Sequence, residues 1–195
     1  MTVPGKDELL FLALGGAGEI GMNLNLYGHA GKWLMIDLGI GFADDTMPGV
    51  EVVMPDPAFI EERRADLLGI VLTHAHDDHV DAAGVTALPR HLPFFCQPED
   101  LPELMPLGFT DMHPLPDAPT AWEELTVART RGRHAHDDRM AAGLGPVSGV
   151  ALSAPGEPAV LVADPAGLAK LKTVRMLVRS SRRTVSKNNR NMAYS

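Results

Sequence analysis

Apolar and polar positions follow three rhythms along the chain, and each predicts an element. Leu9 to Leu14 is an unbroken apolar run that stops in Gly15-Gly16-Ala17-Gly18-Glu19-Ile20-Gly21. Met22 to Tyr27 then alternates with period two, Gly28-His29-Ala30-Gly31 supplies a turn, and Lys32 to Leu38 reads as the returning strand of a hairpin. Pro57 to Leu68 sets Phe59, Ile60, Ala65, Leu67 and Leu68 among charged residues, the pattern of a short amphipathic helix. Ile70-Val71-Leu72 is a compact apolar run, predicting a strand buried on both faces. Val80 to Leu88 predicts a second helix, whose amino terminus would bring positive dipole close to bound oxyanions. Leu125 to Thr130 alternates again, and Val147 to Ala154 with Ala159 to Val162 predicts a hairpin turned by Pro155-Gly156-Glu157-Pro158. Gly39 to Pro55 has no period and reads as a long loop over one end of the sheet, where substrate contacts would lie. Strands interleaved with helices place the chain in the α/β class.

The buried strand at 70–72 runs straight into Thr73-His74-Ala75-His76-Asp77-Asp78-His79. Imidazole nitrogen and carboxylate oxygen suit zinc and similar divalent ions. In an extended exit from the strand, His74 and His76 point the same way and can share one ion; as the chain curls, Asp78 and His79 face a second ion nearby. Two ions that close can hold a hydroxide at neutral pH and clamp both oxygens of an ester undergoing hydrolysis. The plain alternative, a solvated polar loop, accounts poorly for three histidines and two aspartates within six residues.

Gly16, Gly18 and Gly21 also satisfy G-x-G-x-x-G after a strand. A dinucleotide fingerprint requires a helix opening at the glycines, whereas a hairpin follows here, so tight turns with positive φ are the better account. Asp37, set between Ile36 and Leu38, needs a partner: either a hydrogen bond or a place behind the metal ligands.

The motif Thr73 to His79 resembles the signature of the metallo-β-lactamase fold superfamily. Leu14-Gly15-Gly16-Ala17-Gly18-Glu19-Ile20-Gly21-Met22-Asn23, Met35-Ile36-Asp37-Leu38-Gly39, Pro48-Gly49-Val50-Glu51 and Pro55-Asp56 precede it, and in that order residues 8 to 80 resemble the amino-terminal end of bacterial ribonuclease J. Residues 81 to 165 are similar instead to compact metallo-hydrolases related to the ascorbate-phosphate lactonase, through Asp81-Ala82-Ala83, Leu92 to Asp100, Gly108-Phe109-Thr110, Ala121-Trp122-Glu123 and Gly145-Pro146-Val147-Ser148-Gly149. The resemblance implies an αβ/βα sandwich, incomplete in its carboxy-terminal half, occupying residues 1–167. It implies two divalent ions, zinc first with manganese or magnesium as alternatives. His134, a histidine after Gly-Arg, would complete the first ion's set with His74 and His76, with His136 as its local competitor. Asp164, at the end of a strand, would bridge to a second ion held by Asp78 and His79, while Asp78 orients the attacking hydroxide. In the same family Asp37 lies near the site without being a direct ligand. The implied activity is phosphodiester cleavage of RNA, with hydrolysis of a small lactone or phosphoester as the alternative. A metal-binding remnant without turnover stays open, because Pro165 replaces the usual hydroxyl residue after the bridging aspartate and no histidine follows His136.

Composition adjusts this picture. The chain has 195 residues, 45% of them hydrophobic and 22% charged, as in a soluble globular domain, and no run reaches the ~18 apolar residues of a membrane helix. The single Cys96 excludes an internal disulfide and suits a reducing cytoplasm. The net charge of -8 hides a split: eight of the 17 basic residues lie beyond Asp164, leaving nine against 25 acids in residues 1–167. A body so acidic repels a polyanion unless metal ions or the basic tail offset it. Residues 168–195, basic and rich in Ser, Thr and Asn, predict a poorly ordered tail. A homodimer is compatible with all of this.

Overall fold

The computed structural model describes residues 3–17, 21–86, 88–135 and 137–162. The expected tail, Asp164 and His136 lie outside the described residues. Two sheets form the frame. In the first, β1 (Leu10–Gly15), β2 (Leu24–His29) and β3 (Lys32–Ile36) pair antiparallel, and β6 (Leu67–Val71), β7 (Phe94–Cys96) and β8 (Met112–Pro114) continue in parallel, in the order β1-β2-β3-β6-β7-β8. The second is antiparallel and runs β12 (Val160–Val162), β11 (Ser148–Ser153), β10 (Leu125–Arg131), β9 (Thr120–Trp122).

The two-residue period of a strand explains why the first sheet is buried on both sides. Trp33, Met35, Ile70 and Leu72 enter one apolar cluster with Val85, Leu88, Phe94 and Leu104. Their neighbours Leu34, Ile36 and Val71 enter another with Val127, Val150 and Leu152 of the second sheet. Helical segments therefore cover one face and the second sheet covers the other, as in the expected sandwich.

The hairpin of β2 and β3 is as expected, and Gly16 and Gly21 have φ of 75° and 81°, in keeping with glycines that serve turns. The helices are shorter than their periodicity predicts. Of Pro57 to Leu68, only α1 (Ala58–Glu62) is α-helical. A 3-10 turn over Arg64–Asp66 follows, and Leu67 and Leu68 already belong to β6, because the strand must start there to lie beside Trp33. Among the described residues of Val80 to Leu88, only α2 (Ala82–Val85) is α-helical, and Pro89 disfavours helical geometry at Leu88. Its amino terminus is no anion site: the Asp81 carboxylate already accepts the Gly84 N–H at 2.8 Å. Within the unpatterned stretch from Gly39 to Pro55, β4 (Gly41–Phe42) and β5 (Val52–Val53) pair into a small ribbon. No described helix is long and apolar enough to cross a membrane.

Candidate metal centre

The segment after β6 is fixed by the chain that leaves β3. Leu38 N–H donates to His79 O, Ile40 N–H to Asp77 O and Asp81 N–H to Leu38 O, at 2.7 to 2.9 Å. So close an approach requires Gly39: a Cβ there would lie 1.9 Å from the carbonyl carbon and oxygen of Asp78. Asp37, just before it, adopts φ of 61°, a left-handed conformation that aspartate tolerates better than most residues. That turn aims its buried carboxylate at the loop. Thr73 N–H donates to Oδ1 at 2.8 Å, the Thr73 hydroxyl lies 3.0 Å from both oxygens, and His79 Nδ1 lies 2.9 Å from Oδ2. The partner expected for Asp37 is thus the metal loop itself.

These bonds determine where each imidazole keeps its lone pair, since carboxylates and carbonyls only accept. His79 Nδ1–H donates to Asp37, leaving Nε2 as ligand atom. The Thr73 hydroxyl gives its proton to Asp37, so its oxygen accepts from His74 Nδ1 at 3.2 Å, again leaving Nε2. His76 Nε2–H donates to Leu144 O at 3.0 Å, leaving Nδ1. His134 Nδ1–H donates to Gly145 O at 3.0 Å, leaving Nε2, which is buried without a hydrogen-bond partner among the described residues.

Two donor groups result. Ligand atoms of His74, His76 and His134 lie within 4.8 Å of one another, as do those of His74, Asp78 and His79. His74 is 2% exposed, and burial, followed by the neighbouring His79, His134 and His76, lowers its pKa to about 2. It is a neutral imidazole throughout the physiological range, as a metal ligand must be. A buried, unpartnered nitrogen converging with two further imidazoles is the donor set of a divalent ion such as zinc, so the residues present fit the group. The structure therefore brings together five of the six residues singled out in the sequence, His74, His76, Asp78, His79 and His134; Asp164 lies outside the described residues.

Sequence reasoning missed the residues behind the ligands: Asn23, whose Nδ2 donates to Asp78 O at 3.0 Å and sits 3.2 Å from His79 Nε2, and the carbonyls of Leu144 and Gly145. It also missed Gln97, 1% exposed at the end of β7. A polar residue at the exit of a buried parallel strand was the available signal, as Thr73 is two residues beyond β6.

Residues 21–165 match the metallo-beta-lactamase superfamily. The chain belongs to the metallo-β-lactamase superfamily. Ribonuclease J of Sinorhizobium meliloti is 45% identical over 96 residues, which cover 47% of this chain and 17% of that protein. Ribonuclease J of Thermus thermophilus is 30% identical over 128 residues, 66% of this chain and 19% of the relative. The chain thus spans less than a fifth of the length of these curated relatives. Among solved structures, a possible metal-dependent hydrolase from Veillonella parvula superposes with a TM-score of 0.58 at 20% identity, covering 80% of this chain and 61% of the other. An isothiocyanate hydrolase from Delia radicum gut bacteria superposes with a TM-score of 0.55 at 24% identity, covering 72% and 58%. Both share the fold with this chain, which carries a His/Asp cluster that could hold divalent metal.

Proposed function

We propose that this chain hydrolyses RNA phosphodiester bonds in the manner of ribonuclease J, with two divalent ions, zinc first. His74, His76 and His134 would hold one ion, Asp78, His79 and Asp164 the other, with Asp164 shared. The observation that carries the reading is the convergence of three imidazoles from two sheets, each with its second nitrogen engaged so that a lone pair faces the centre. The ribonuclease J likeness of the amino-terminal half supports the choice of substrate.

Ions bound there supply Lewis acidity and a nucleophilic water at neutral pH. The chain's own residues do the rest. Asp37 holds His79 in one tautomer, and the Asp78 carboxylate, 3.5 Å from His79 Nε2 and one-third exposed, is placed to accept a proton from attacking water. Phe42, Ala75, His76, Asp77 and Asp78 line an open cleft of about 320 Å³ beside the centre. Among the described residues its lining has no Lys or Arg, so two aspartates face an incoming phosphate there and bound cations would offset their repulsion. We place the chain in a reducing cytoplasm, in keeping with its buried free thiol at Cys96. The small cleft favours a second reading, hydrolysis of a lactone or phosphoester of modest size.

The test is metal analysis of the purified chain followed by incubation with labelled single-stranded RNA, a generic lactone and bis(p-nitrophenyl) phosphate. Nucleotide release that stops on chelation and returns with zinc or manganese is expected. Turnover of the small esters alone selects the second reading, and no release from any substrate at full metal loading removes both.

A further inference from the structure

The carbonyls that orient His76 and His134 belong to a segment with little packing of its own. The helix α3 (Asp138–Leu144) has no buried residue, and the space around Gly145 is open to 4 Å from a would-be Cβ. Ring orientation at the first donor group is only as firm as Leu144 O and Gly145 O. Something must hold that segment against the loop carrying His74 and His76.

Gln97 sits between the two. Its Nε2 donates to Pro146 O at 3.0 Å, one residue beyond Gly145, and to Asp100 Oδ2 at 2.9 Å. Asp100 in turn accepts the backbone N–H of Ala75, the residue between His74 and His76. The other end of the amide is pinned too, because Gln97 Oε1 accepts the Ser148 hydroxyl at 2.9 Å, while Ser148 N–H donates to Thr73 O at 3.2 Å. With two strict acceptors on one side and a hydroxyl donor on the other, the amide has one satisfactory orientation. We infer that Gln97 is the positioning residue of the first metal cage, its buried amide holding the carbonyl segment of the second sheet directly and the histidine loop of the first through Asp100. The inference rests on the reading of His74, His76 and His134 as that cage.

Cobalt(II) serves as the probe, titrated into the full chain with chelator competition for affinity and visible absorption for coordination. In Gln97→Met, similar in size but without donors, the equivalent bound by the three histidines is expected to weaken about 10- to 100-fold and change its absorption band. The equivalent bound by Asp78 and His79 should keep its affinity, a split that loss of general structure would not produce. Affinity within about twofold of the unsubstituted chain, with an unchanged spectrum, overturns the inference. If Gln97→Met fails to fold, Ser148→Ala decides: it removes one anchor of the amide, a loss of about threefold is expected, and no change overturns the inference. An unsubstituted chain that takes up no cobalt removes the metal-cage reading and this inference together, whereas normal uptake by both proteins removes this inference alone.

Discussion

The two donor groups share His74 yet are built differently. His74, Asp78 and His79 come from one six-residue stretch, clamped from behind by Asp37, Asn23 and the tight pairing with residues 38–40. His74, His76 and His134 draw on both sheets, and their geometry depends on carbonyls at Leu144 and Gly145, some 70 residues further along the chain from His76. One group is a local structure with a buried carboxylate at its centre. The other exists only once the second sheet has docked, so anything that loosens the docked loop should reach it first.

Three perturbations would sharpen or break that contrast. The largest effect is expected at the local group. Asp37→Ala leaves the Thr73 N–H and His79 Nδ1–H without their buried acceptor and should cost about 3 kcal/mol in urea unfolding, weakening both donor groups through Thr73. A cost below about 1 kcal/mol would show the carboxylate to be dispensable. Next is Gly145→Ala. Gly145 has φ of 78° and ψ of -176°, a region nearly closed to other residues, and its surroundings are open, so strain alone should cost about 2 kcal/mol. Metal titration should then show a weakened His76–His134 group beside an intact Asp78–His79 group; equal losses at both would erase the distinction.

Taken one pH unit at a time, the smallest effect is expected from acid, acting on the shared residue. The folded pKa of His74 lies at about 2, below its ordinary 6.5, so between those values the unfolded chain binds a proton that the folded chain refuses. Stability of the metal-free protein is thus unaffected by this group above pH 6.5 and falls as pH drops below it, by at most about 1.4 kcal/mol per pH unit. A melting temperature that is flat or rising from pH 6.5 to 4.5 would contradict the buried, neutral assignment.

Much of the site was legible in the residues. Six positions from His74 to His79 carry their chemistry in their order, and the apolar run before them announced a buried strand. The hairpin of β11 and β12 was equally plain, because alternation on either side of Pro155-Gly156 leaves little else for the chain to do. The helices were overdrawn, since periodicity reports which face is apolar and says nothing of where a neighbouring strand must begin. The ribbon of β4 and β5 escaped notice because two-residue strands leave no pattern.

The sequence by itself determined which atoms are available to a metal, and that a rigid strand delivers four of the donors, His74, His76, Asp78 and His79. Only the tertiary structure decided which nitrogen of each ring is left to bind, because that depends on acceptors such as Asp37 and the Leu144 and Gly145 carbonyls, far away along the chain. Only it brought Gln97 between the two loops. A hydrogen bond across two sheets leaves no spacing behind in the sequence, since its partners meet through the packing of every residue between them.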